Sequence, residues 1–212
     1  MRFAKKDVPE DATKDSEDTK DSESPISLLL PPSPEVRVAG LYGEVDEEKC
    51  SDLIYQMLSL RETGRTQDEE GNVEYEPFDI LISTWGGSAV DMFAVYDVMR
   101  MLQRDVEIST LGFGKVMSAG VLLLAAGTKG NRKIGENCRV MLHSVASGHS
   151  GELYSLENEL EEVKESQKRY IKALVRETNM TEKQVKKMLN RRVNVYLTAE
   201  EAVKFGIADE VL

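Results

Sequence analysis

A serine hydroxyl becomes a nucleophile when a base can take its proton, and this chain of 212 residues holds two histidines for that task, His143 and His149. Ser118 is the serine placed to use one. It follows the turn-prone segment Gly112 to Met117 and precedes the apolar run Ala119 to Ala126, so it stands at the start of an expected buried helix. Two uses fit that position. The hydroxyl can cap the helix by accepting a backbone N–H. Alternatively it can attack a carbonyl, because the free amides and dipole of a helix start favour the negative charge of a tetrahedral intermediate. His143 ends the apolar segment Arg139 to Leu142, where a strand would fix its ring, and can be a hydrogen-bonded structural residue or the base. His149 lies in the flexible Ser/Gly-rich stretch Ser144 to Gly151. As a pair, Ser118 and His143 point to acyl transfer.

Other chemistries find no motif. Gly112-x-Gly114-x-x-Met117 lacks the third glycine of a dinucleotide fingerprint, and the phosphate-cradling Gly-x-x-x-x-Gly-Lys-Ser/Thr is absent. Val116-Met-Ser118-Ala-Gly120 lacks the first glycine of a hydrolase nucleophile elbow, and Glu136 is the one carboxylate between Ser118 and His143. Cys50 and Cys138 are far apart without Cys-x-x-Cys spacing, so neither a disulfide framework nor a metal site is expected, and both read as small apolar residues.

The elements that must position the pair alternate between strand and helix. Val36 to Tyr42 reads as a strand ending near Gly43. A helix follows, with first-turn acids Asp46 to Glu48 and an apolar face of Cys50, Leu53, Ile54, Met57 and Leu58. Arg61 to Pro77 is polar and reads as a surface loop, Phe78 to Thr84 as a buried strand broken by Gly86-Gly87, and Val90 to Leu102 as a second helix. Val106 to Leu111 and Arg139 to Leu142 are further strands flanking the Ala119 to Ala126 helix. Such alternation predicts an α/β fold with a parallel sheet. The longest helical pattern runs from Glu152 to Thr178. Its apolar stripe is narrow, includes Tyr170 and is interrupted by Gln167, which suits either packing on a partner or a charged helix on its own domain. Thr181 can cap a helix to Leu189, Val193 to Leu197 can be a strand, and Ala199 to Phe205 a last helix closed by Gly206.

Composition narrows the class. Asp and Glu outnumber Lys and Arg by 38 to 27, a formal charge of -11, which argues against nucleic acid or anionic lipid as partners. No stretch approaches the roughly 20 apolar residues of a membrane span, and no secretory signal is visible, so a cytoplasmic protein is expected. Residues 1–24 are acidic and polar and read as a disordered tail or propeptide, and 25–34 as a Pro-rich lead-in. Residues 35–212 read as the folded domain.

Four segments, Trp85-Gly86-Gly87, Gly114 to Gly127 around Ser118, Arg139-Val-Met-Leu-His143 and Tyr196 to Asp209, resemble in order and spacing the proteolytic subunits of the Clp protease. The resemblance covers about Val36 to Leu212. It implies a self-compartmentalising serine peptidase of crotonase-like fold: a β-β-α superhelix with a parallel sheet and a long protruding handle helix at about 152–178. It further implies two stacked seven-membered rings around a chamber, an AAA+ unfoldase that alone uses ATP, and no cofactor or metal in this subunit. The resemblance puts the nucleophile at Ser118, the general base at His143, the oxyanion donors at the backbone N–H groups of Gly87 and Ala119, and substrate binding at Gly86, Ser147 and Gly148. Substrate would add as a strand through backbone hydrogen bonds.

The chain departs from that pattern in four places. Asn194 stands where the family has the triad Asp; its side-chain oxygen can accept an imidazole Nδ1–H but carries no charge, and Asp to Asn in trypsin lowers turnover about 10⁴-fold. Trp85 replaces a proline, Arg65 to Glu76 resembles an insertion, and the acidic tail does not resemble the family's axial-loop region. Three readings follow: an active endopeptidase, a degenerate ring subunit assembling with active paralogues, and, more distantly, an acyl-CoA enzyme of the crotonase group.

Overall fold

The described chain opens on strand β1 (Val38–Val45), in a computed structural model that describes residues 36–191 and 193–212. The expected tail 1–24 and lead-in 25–34 lie outside the described residues. Helix α1 (Glu47–Thr63) starts where its sequence signals sit. Asp46 is the N-cap, its carboxylate accepting the Lys49 amide at 2.9 Å, and Cys50, Leu53 and Met57 are buried.

The expected surface loop after α1 is in fact a small hairpin. Strands β2 (Arg65–Gln67) and β3 (Val73–Tyr75) pair antiparallel, and Asp68 builds their turn by accepting the amides of Glu70 at 2.9 Å and Asn72 at 2.8 Å. Five of its six strand residues are exposed, so no apolar alternation marks the hairpin in the sequence.

Strand β4 (Phe78–Gly87) runs through the glycine pair instead of stopping at Thr84. It alternates buried Phe78, Ile80, Ile82 and Thr84 with half-buried neighbours. Helix α2 (Ala89–Leu102) follows, capped by Ser88, and leads to β5 (Ile108–Met117). Sequence signals end β5 at Leu111 and make Gly112 to Met117 a turn. The strand continues because its two halves find different partners: Thr110–Gly112 pairs with β6 (Arg132–Ile134) and Lys115–Met117 with β7 (Arg139–Leu142). Gly114, at φ 66°, sits at the fork. The fork aims the end of β5 away from β6 and into helix α3 (Ala119–Ala125), all of whose residues are buried.

Helix α4 (Leu153–Glu177) is exposed along its first half, including Leu153, Tyr154 and Leu160, and buries Tyr170, Ile171, Ala173, Leu174 and Glu177 toward its end. Helix α5 (Glu182–Leu189) begins with the capping box of Thr181 and Gln184, β8 (Val195–Leu197) follows, and α6 (Ala199–Lys204) precedes β9 (Glu210–Val211). The main sheet has the order β1-β4-β5-β6-β9 with every pair parallel, as the alternation predicts; β7 branches from β5 and carries β8 as the one antiparallel neighbour.

One buried cation ties the helix ends together. Arg132, 3% exposed, donates through Nη1 to the carbonyls of Ala125 at 3.2 Å, Glu177 at 2.7 Å and Gly206 at 2.8 Å, and through Nε to Asp209 at 2.8 Å. The last carbonyls of α3 and α4 therefore share one guanidinium, which satisfies groups that helix ends leave without partners.

Candidate active site

Ser118 lies where β5 ends and α3 begins, and its backbone is strained there. It is the one non-glycine residue with positive φ among the described residues, at φ 54° and ψ −117°. A conformation of this kind costs roughly 1–3 kcal/mol and persists only where surroundings impose it. They do. The Ser118 amide donates to Met141 on β7 at 2.8 Å, its carbonyl accepts from the Val121 amide at 3.0 Å, and the Tyr170 hydroxyl donates to the same carbonyl at 2.9 Å. The side chain makes no capping hydrogen bond. The helix-cap use open to Ser118 in the sequence is therefore not taken, and the hydroxyl is left free to point elsewhere.

It points at His143. Ser118 Oγ and His143 Nε2 are 2.7 Å apart; with the ring proton on Nδ1, the serine hydroxyl donates to Nε2, the arrangement from which a base removes that proton. The register explains why two residues so separated in sequence meet. Met117 on β5 pairs with Met141 on β7, so the chain positions just past the two strand ends, at 118 and 143, emerge side by side.

Over this pair runs the end of β4. Gly86 is at φ 88° and Gly87 at φ 154°. A Cβ on Gly86 would lie 2.5 Å from Ser118 Cβ and 3.1 Å from the Ala119 nitrogen, and one on Gly87 would lie 2.2 Å from the Val45 carbonyl oxygen. No other residue type fits either position without displacement. The glycines thus bring bare backbone against the first peptide of α3, whose amide has no intrahelical acceptor. All of these groups open into one cavity of about 550 Å³, lined among others by Trp85, Gly87, Ser118, His143, Val145 and Tyr170.

A strained serine in contact with an imidazole beside paired glycine backbone is an arrangement for acyl transfer. The Clp protease family model matches residues 34–212. The chain belongs to the Clp protease family. It is 34% identical over 178 residues to the ATP-dependent Clp protease proteolytic subunit 2 of Corynebacterium jeikeium, covering 84% of this chain and 79% of that protein. Proteolytic subunits 1 of Corynebacterium diphtheriae and Corynebacterium glutamicum are 33% and 32% identical over the same shares.

Other residues singled out from this Clp-type sequence fall less centrally. Asn194 is exposed. The β7/β8 pairing puts Leu142 opposite Val195, so Asn194 continues the register toward His143, yet no hydrogen bond joins the two side chains. Among the described residues, none is made at His143 Nδ1 at all. Ser147 and Gly148 lie in exposed chain outside the cavity lining, with Ser147 Oγ 3.4 Å from Glu159 on α4. His149 Nε2 is 3.1 Å from Ser155 Oγ and takes no part in the cavity. Trp85 is 60% exposed at the rim, with the Lys115 ammonium 4.6 Å above its ring.

Both cysteines are buried, and burial pushes each thiol up to about 11, which removes them as thiolate nucleophiles. Among the described residues no cluster of His, Cys, Asp and Glu could hold a metal ion, and no helix is long and apolar enough to cross a membrane. Three contributors escaped the sequence reading. Tyr170 and Gln167 read there as packing and as an interruption of a stripe. Gln167 in fact accepts the Val145 amide at 3.1 Å, and Glu44 at the end of β1 lines the cavity. The available signal was a tyrosine on an apolar face, whose hydroxyl needs a partner once buried.

Proposed function

We propose that this chain is a serine endopeptidase subunit of a Clp protease, cleaving unfolded polypeptide inside an oligomeric chamber through an acyl-enzyme on Ser118. The 2.7 Å approach of Ser118 Oγ to His143 Nε2 carries the reading. His143 takes the hydroxyl proton as Oγ bonds to the scissile carbonyl carbon. The resulting oxyanion sits against the Gly87 and Ala119 amides. On collapse the C–N bond breaks and His143 returns the proton to the leaving amine; water then repeats the sequence and frees Ser118. Gly86 shapes the approach, and substrate adds as an extended strand along Ser147 and Gly148, whose exposed backbone is open to pairing. No metal or cofactor enters these steps.

Family membership supports assembly with further Clp subunits. The finer picture is two stacked heptameric rings with α4 as the handle between them, an AAA+ unfoldase that supplies substrate and spends the ATP, and a cytoplasmic location. The long exposed apolar positions on the first half of α4 support a role in contact with another subunit.

Incubation with a fluorophosphonate followed by peptide mass spectrometry tests the chemistry: covalent mass on Ser118, absent from Ser118→Ala, is the expected result. A chain that takes up no label where an ordinary serine peptidase does is a silent subunit. The observation favouring that second reading is Asn194, which is exposed and among the described residues makes no side-chain hydrogen bond, and it comes with its own expectation of mixed rings. A native mass spectrum with and without paralogous subunits separates fourteen identical chains from a mixture.

A further inference from the structure

Among the described residues no carboxylate is hydrogen-bonded to His143, and the chain around both reactive residues is held from one helix. Gln167 and Tyr170 are three residues apart, so they share a face of α4. Tyr170 donates its hydroxyl to the Ser118 carbonyl at 2.9 Å, and Gln167 Oε1 accepts the amide of Val145, two residues after His143, at 3.1 Å. One face thus grips the backbone of the nucleophile and the backbone that follows the base. Tyr170 is 5% exposed, and burial pushes its phenol above its usual range, which favours the neutral, donating form.

We propose that Gln167 and Tyr170 are positioning residues that set the Ser118–His143 approach, making α4 the orienting element of the site. The inference rests on the serine-peptidase reading above. Neither side chain hydrogen-bonds Ser118 Oγ or the His143 ring. Tyr170 makes one of the three backbone hydrogen bonds that hold Ser118 at a φ of 54°, and Gln167 fixes the exit of the segment that carries the imidazole. Because both grips come from one helix, a shift of α4 moves nucleophile and base supports together.

The test uses the full chain in its assembled state, with a fluorophosphonate to read Ser118 reactivity and a small peptide ester to read turnover. Tyr170→Phe removes the hydroxyl and leaves the ring. Expected is a fall of about tenfold in both labelling rate and kcat, the loss of one hydrogen bond expressed as a rate, with KM unchanged. Gln167→Leu lowers kcat in the same way, and Gln167→Glu, which keeps an acceptor oxygen at that place, stays nearer the unmodified rate. A purely structural role would lower melting temperature and active fraction for all three variants, without a kcat-specific loss or recovery by glutamate. Full labelling and turnover in Tyr170→Phe and Gln167→Leu overturn the inference and leave the serine-peptidase reading intact. Absence of any label on Ser118 in the unmodified chain overturns that reading, and this inference with it.

Discussion

The two halves of the site are built to different standards. On the nucleophile side, Ser118 is held by hydrogen bonds at its amide and carbonyl, roofed by Gly86, and continued into a wholly buried helix whose far end is held by Arg132. On the base side, His143 has its Ser118 contact and, among the described residues, no other hydrogen bond, while the chain beyond it runs into exposed Ser147 and Gly148. The difference teaches which property each half must have. A nucleophile with an oxyanion site works by preorganisation and tolerates little movement. A base that must accept and then return a proton needs alignment and access, and among the described residues no carboxylate is hydrogen-bonded to His143.

The strongest break of this comparison replaces one glycine on each side. Gly86→Ala puts a methyl 2.5 Å from Ser118 Cβ on a backbone at φ 88°. Turnover should fall on the order of 10²–10³-fold, the size of losing an oxyanion donor. Thermal melting should show a loss of about 1–3 kcal/mol. In Gly148→Ala the added methyl meets nothing within 4 Å, and melting should shift by no more than about 0.5 kcal/mol. Equal stability losses at both positions would erase the proposed asymmetry.

The same asymmetry decided what could be read from sequence. The places of Ser118 and His143 in the fold were legible because both sit at junctions with strong local signals, the start of an apolar helix and the end of an apolar strand. The parallel sheet followed from alternation. What stayed hidden depends on distant partners. Strand β5 runs past two glycines because β7 is there to pair with, and β6 and β9 are too short for periodicity to register. The β2–β3 hairpin is polar on both faces. Tyr170 reaches a carbonyl 52 residues away, a relation no local pattern encodes. Asn194 was placed by resemblance, and strand register does bring it toward His143, but register says nothing of where an exposed amide points.

The scaffold behind the nucleophile half has a pH signature. Burial by itself would raise the Asp209 carboxyl, but hydrogen bonds from the Arg132 guanidinium and from the Arg132 and Gly130 amides outweigh it and hold the group below its usual value. A carboxylate depressed in the folded state stabilises it above the unfolded value near 3.8, and that contribution disappears as pH falls through the lower folded value. Stability should therefore drop on acidification below about pH 4. Asp209→Asn should cost about 2 kcal/mol near neutrality, less than the roughly 3–5 kcal/mol of a fully buried broken pair. It should also flatten the acid limb of a melting-temperature profile. Because Arg132 holds the last carbonyls of α3 and α4, labelling of Ser118 should decline with the same profile.

The smallest effect probes the base half directly. Asn194→Asp puts a carboxylate one residue before β8, next to His143 in the continued register, but at an exposed position with no hydrogen bond to the imidazole. Exposure leaves most of its charge screened by water, so the gain should be far below the 10⁴-fold that separates Asp from Asn in an enclosed triad. An increase in kcat of about tenfold, with KM unchanged, is the expected outcome from peptide-ester kinetics. Combining the change with Tyr170→Phe sharpens it. If α4 and the introduced carboxylate orient the same pair, their effects on kcat should not be additive, and the double variant should gain less from the carboxylate than the single one does, because a charge aligns a proton transfer only when the nucleophile opposite is already in place.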